Sequence, residues 1–165
     1  MAFILSDQRA LDVDEAFRRY GEYLERRRHD FPRGAYTLAT SDWYYNGDDH
    51  RCPHDAWLES MTLSEPAIGS RQEIRTVSMQ VRLLGSYHDG HIELRYPRVF
   101  AYDLHLDPAL DGHRDWRYDE FRLTDNGNLL HEIEWSSRGA VGRWLIEASD
   151  IEFAWLPKGH VNSDA

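Results

Sequence analysis

From residue 74 to residue 155 apolar side chains recur at every second position, and turn chemistry interrupts them where a parallel sheet would need helix-length segments. Val77, Met79, Val81 and Leu83 share one face of a run over 74–84. Ile92, Leu94 and Tyr96 alternate with His91, Glu93 and Arg95, and Phe100, Tyr102, Leu104 and Leu106 continue the rhythm. Further runs cover about 116–124, 129–135, 143–148 and 151–155. Asp89-Gly90 and Asn126-Gly127 are dipeptides favoured in type I′ turns, so each predicts a tight antiparallel hairpin. Ser137-Arg138-Gly139 predicts a third, and the apolar phase slips near Ser149-Asp150, as at a bulge or turn. The fold class expected is α+β and mainly β. It takes the form of a curved antiparallel sheet, sandwich or open barrel of about seven or eight strands with an N-terminal helix.

That helix is predicted over about 12–29, where Val13, Phe17, Tyr20 and Leu24 fall on one face. Asp12 or Asp14 suits the N-cap, Arg26, Arg27 and Arg28 suit the negative end of the helix dipole, and Pro32 ends the segment. An anion site on the arginine run is the functional reading; a solvated helix end is the commoner role. Residues 35–39 read equally as a short helix or strand. The 165 residues fit one domain, with a helical part at about 1–45, a β part at about 54–157 and a frayed tail at 158–165.

Composition narrows the function classes. The chain carries 29 acidic against 19 basic residues, a net charge of −10, and Lys158 is its only lysine. Such a surface repels phosphate backbones and anionic lipid, so nucleic acid and membrane are not expected as partners, and a basic protein is. The single cysteine, Cys52, excludes an internal disulfide framework. The apolar run near the N-terminus is too short for a signal peptide and no stretch is long enough to span a bilayer, so a cytoplasmic location is expected.

Three places could carry chemistry. His50, Cys52, His54 and Asp55 bring zinc-type ligands together, although their spacing matches no standard zinc site, and capping of backbone groups is the plainer role. Cys52 beside histidines is a nucleophile candidate. If Asp89-Gly90 is a two-residue turn, His88 and His91 face each other across it with Cβ atoms roughly 5 Å apart, close enough to share an ion or a carboxylate. If Asn126-Gly127 is another, Arg122 opposes His131, and Glu120, Arg122 and His131 project from one face beside Leu129, Ile133 and Trp135. A histidine there is a general-base candidate or a core histidine satisfied by its neighbours. No phosphate loop, nucleophile elbow or dinucleotide fingerprint is present, and no cofactor is expected. Trp43, Tyr44, Tyr45 and Trp116 lie in or beside predicted loops and are the aromatics expected to stay exposed.

One ordering of motifs goes further. His54-Asp55-Ala56 precedes an amphipathic strand and a long apolar strand, followed by Tyr87-His88-Asp89-Gly90-His91 and Asp119-Glu120-Phe121. This order resembles the small, acidic, strand-rich immunity proteins of bacterial polymorphic toxin systems, in some of which an HDA-type motif opens the first strand of a β domain. The resemblance covers about 50–156 and leaves the N-terminal helix outside. It implies a non-enzymatic inhibitor that binds one cognate toxin and blocks its active site, and it assigns no binding residues. The binding candidates are therefore Trp43, Tyr44, Tyr45, His54, Asp55, His88, Asp89, His91, Trp116, Glu120 and His131. The alternative is a small metal-dependent or acid–base enzyme using His54, His88, His91 or His131 with Asp55 or Glu120.

Overall fold

The computed structural model describes residues 1–109, 111–137 and 139–159. Arg138 of the third predicted turn and most of the expected frayed tail lie outside them. The chain is α+β and mainly β, built on a seven-stranded antiparallel sheet. Its strands are β1 (Trp57–Ser64), β4 (Val77–Leu84), β5 (Gly90–His105), β6 (Asp115–Leu123), β7 (Leu129–Ser137), β8 (Ala140–Ala148) and β9 (Glu152–Pro157). A two-stranded ribbon of β2 (Ala67–Ile68) and β3 (Ile74–Arg75) sits between β1 and β4. Residues 74–84, read from sequence as one strand, are thus divided between β3 and β4.

Six strands close into a ring in the order β1-β4-β5-β8-β7-β6, and β9 is attached to β5. The ring depends on β5, whose 16 residues serve two sets of neighbours. Its first half pairs with β4 on one edge and β9 on the other, and its second half pairs with β8. The register shifts on either side of Val99, next to Pro97, which has no N–H to give to a ladder. The strand bends at this break in pairing, which lets one sheet curl into a barrel.

Both turn dipeptides behave differently from expectation. At Asn126-Gly127, Leu123 pairs with Leu129 and the Thr124 amide bonds to the Asn128 carbonyl at 2.9 Å, leaving a three-residue loop with Gly127 at φ 79°. A left-handed glycine at the third position is the signature of a turn with a G1 bulge. The added residue shifts the register by one, so His131 opposes Phe121 rather than Arg122. Phe121 and Asp119 join His131 inside the barrel, and Glu120 and Arg122 point outward. At Asp89-Gly90 the last pair is Leu84 with His91, closed by the Gly85 amide on the Gly90 carbonyl at 3.0 Å. Residues 86–89 form the loop, so His88 and His91 do not face each other. Gly90 is needed for another reason: a Cβ there would stand 2.3 Å from the Trp155 ring.

The N-terminal helix α1 spans Val13–Arg26, capped by the Asp12 carboxylate accepting from the Glu15 amide at 3.0 Å. Its inward face is Ala16, Tyr20 and Leu24. Pro32 then begins a second helix, α2 (Arg33–Ala39), whose Gly34 and Ala35 amides are both accepted by Asp150 at 3.0 Å. This acceptor comes from the β8–β9 turn, where the apolar phase slips. No helix among the described residues is long and apolar enough to cross a membrane.

The ring closes weakly between β1 and β6. Trp57 with Asp115 is the one paired position among the described residues, extended by the Asp55 amide donating to the Trp116 carbonyl at 2.7 Å and the Trp116 amide donating to the Ala56 carbonyl at 3.0 Å. Side chains satisfy several further backbone groups on the β6 edge. Tyr20 serves Phe121, the Tyr23 hydroxyl accepts from the Leu123 amide at 2.9 Å, and His54 Nδ1 donates to the Arg117 carbonyl. Outside the barrel the first residues lie along β6, where the Glu120 carboxylate accepts from the Phe3 and Leu5 amides at 3.0 and 3.2 Å. Arg9 reaches Glu134 at 2.8 Å, and Arg122 and Arg143 continue the ion ladder through Glu120, Glu132 and Glu134. The arginine-rich composition is partly explained by these bridges.

Candidate functional site

The most concentrated polar chemistry lies inside the barrel. β7 supplies His131, β6 Asp119 and Trp116, β5 Tyr96, and the segment after α2 Tyr44. His131 Nε2 is 2.8 Å from Asp119 Oδ2, and Nδ1 is 2.7 Å from the Tyr96 hydroxyl. The same carboxylate accepts from the Tyr44 hydroxyl at 2.9 Å and from Trp116 Nε1 at 3.1 Å. Because a carboxylate can only accept, Nε2 carries a proton, and with the imidazole neutral Tyr96 donates to Nδ1. Burial pushes both phenols well above their ordinary pKa, which keeps them donors. Phe121 stacks on the imidazole at 4.3 Å.

A histidine oriented by a carboxylate is the arrangement of a general base. Here its second nitrogen is occupied by Tyr96, and all five side chains of the network are almost wholly inaccessible to solvent. The adjoining void, bounded by Tyr44, Cys52, His54, Trp116 and Asp119 among others, measures about 20 Å³, enough for one water. The polar groups of the network satisfy one another, and its side chains are almost wholly buried, as in a polar core.

The other histidines are dispersed. His54, spent on the Arg117 carbonyl, lies 3.6 Å from Asp55, whose second contact is Arg117 at 3.0 Å. His50 stacks on Tyr87 at 4.0 Å and pairs with Asp89. His88 lies against Trp57 at 4.9 Å, and His91 meets Glu59 at 3.2 Å. Among the described residues no group of three or more His, Cys, Asp or Glu could hold a metal ion. Cys52 is buried and its thiol is pushed up to about 11, unlike an activated nucleophile. Glu120 is buried outside the barrel wall, remote in role from His131.

The aromatics expected to stay exposed are packed against the core instead. Tyr44 and Trp116 are fully buried, and Trp43 and Tyr45 pack partly against the core. Trp43 is wedged against Phe153 at 4.8 Å and covered by the Arg51 guanidinium at 4.5 Å. Exposed apolar side chains lie elsewhere, among them Phe100 and Tyr102 on β5 and Val141 on β8, and on the β1–β4 arm Trp57, Met61, Leu63, Ile68 and Ile74. Met61 and Leu63 pair with the buried Val81 and Met79, yet are 37% and 42% exposed. Ile68 and Ile74 face each other across the ribbon at 46% and 49% exposure. Beside the arm, Trp57, Leu58 and residues 111–115 line an open cleft of about 400 Å³.

Sequence reasoning missed Asp119 and Tyr96 as members of the His131 network. The signal for Asp119 was the β6 alternation itself, because Phe121 and Leu123 mark the core face and Asp119 shares their parity. No family model, curated protein or solved structure matches this chain.

Proposed function

We propose that this chain is a non-enzymatic protein-binding module, an inhibitor of the immunity type whose partner is a basic protein such as a toxin domain. The observation that carries this reading is the run of exposed apolar side chains along the β1–β4 arm, ending in Ile68 and Ile74 on a two-stranded ribbon. Such a ribbon is marginal alone and buries its apolar pair only against something else. The net charge of −10 favours encounter with a basic surface. The sealed state of the His131–Asp119 pair removes the best acid–base candidate from contact with a substrate.

The experiment is affinity capture from the native host, with the wild-type chain beside a variant carrying Ile68→Asp and Ile74→Asp. A basic protein retained by the wild type and lost by the folded variant is the expected result. Retention of no specific protein, or equal retention by both baits, would count against the reading.

A further inference from the structure

The open edges of this sheet differ in how they are guarded. That of β6 is occupied by His54, Tyr20 and Tyr23. β9 is six residues long, carries Glu152 and ends in Pro157, and the free side of β5 beyond Val99 carries Asp103 after a bulge. Short length, charge, proline and bulges are the ordinary means of discouraging a further strand. β1 is bounded by a bulge between Leu58 and Ser60 and by Glu65-Pro66 after its last residue, but the five residues between, from Ser60 to Ser64, carry no guard. Those residues pair with β4 on one side and with no strand on the other among the described residues. They read Ser-Met-Thr-Leu-Ser, with neither charge nor proline, and all are exposed.

This edge is self-complementary. Two copies laid antiparallel about Thr62 set Met61 of each against Leu63 of the other, Ser60 against Ser64, and Thr62 against itself. Opposed apolar and Thr–Thr pairs are favourable in antiparallel sheets, and no charge is brought face to face over these five positions. Met61 and Leu63 lie on the core-facing side, level with Val81 and Met79, so the added strand would cover the apolar side chains that β1 leaves half open. Just outside the segment Glu59 of each copy stands opposite Glu65 of the other, and Glu59 is already engaged by Arg82 at 3.3 Å and His91 at 3.2 Å. On a chain of net charge −10, this uncharged edge is a place where two copies can meet with least repulsion.

We propose that the chain forms a two-fold symmetric dimer through the β1 edges, joining two barrels by one continuous antiparallel ladder. The contact is isologous, so it closes at two copies. The dimer shares Met61 and Leu63 with the surface proposed above for a partner, but leaves the ribbon residues Ile68 and Ile74 free.

Sedimentation of the full chain across the micromolar range tests the proposal, with Thr62→Lys and Thr62→Glu as variants. Thr62 is exposed, so both should fold as the wild type does. The expected result is a wild-type dimer weakened by roughly tenfold or more in either variant, because like charges then meet at the axis. Mixing the two variants should restore it. A wild-type chain that stays monomeric, a dimer unaffected by either charge, or no recovery on mixing would overturn the proposal.

Discussion

The hydroxyl of Tyr20 in α1 donates to the carbonyl of Phe121 at 2.9 Å and accepts from the amide of the same residue at 2.8 Å. One phenol therefore takes the place of a missing neighbour strand on β6. The helix is thereby a structural part of the barrel wall, closing the seam that β1 leaves open. Tyr20→Phe strands both backbone groups in a buried site and should cost about 1–3 kcal/mol. Tyr23→Phe, which frees one amide in a less buried place, should cost less. Urea unfolding of the two variants decides the order.

Asp119 gathers three donors, from His131, Tyr44 and Trp116. Asp119→Ala leaves all three buried without their acceptor and should destabilise by about 3–5 kcal/mol, enough to unfold a marginal domain. Tyr96→Phe removes one bond and should cost about 1 kcal/mol. Equal effects of the two in chemical denaturation would show that the network is not organised around the carboxylate.

Gly34 sits where no side chain fits. An added Cβ would lie 2.1 Å from the Ile151 carbonyl oxygen and 2.8 Å from Asp150 Oδ1. Gly34→Ala forces α2 away from the β8–β9 turn and should lose the Asp150 cap as well. Asp150→Ala removes the cap, worth about 0.5–2 kcal/mol, and the local bond from the Ile151 amide, without a clash. The glycine variant should therefore show the larger fall in melting temperature.

Cys52 should report unfolding. With its thiol raised from 9 to about 11 by burial, the reactive thiolate is on the order of 100-fold scarcer than in an open chain at mildly alkaline pH. Maleimide labelling should be slow in the native protein and fast in denaturant. Rapid native labelling would contradict the burial.

Two carboxyls should shape the pH dependence in opposite senses. Burial beneath the N-terminal segment raises Glu120 above 4.5, partly offset by the Phe3 amide and Arg122. Its folded form holds the proton more tightly, so its favourable contribution is present below 4.5 and lost as pH rises through the folded value. Asp49 is lowered to about 2 by hydrogen bonding to Arg51, so its contribution is present above 3.8 and lost as pH falls toward 2. Glu120→Gln should flatten the stability profile above pH 4.5, and Asp49→Asn should flatten it below 3.8. Urea titrations across this range measure both.

The amino-acid sequence by itself determined the elements of this protein. The three-and-four spacing of Phe17, Tyr20 and Leu24 makes α1, and the alternation around Ile92, Leu94 and Tyr96 makes a half-buried strand, because local geometry alone selects those patterns. Local patterns do not count turn residues, so Asn126-Gly127 left the register open by one, and that one residue decided whether Glu120 or Asp119 stands with His131. Closure of the ring, the sealing of that network and the burial of Tyr44 and Trp116 were decided only by tertiary structure. Each depends on contacts between segments far apart in the chain, such as Tyr20 with Phe121 and Tyr44 with Asp119, which no periodicity records. The apolar surface left exposed on β1 has the same origin, since Met61 and Leu63 carry a core pattern that the fold leaves half uncovered.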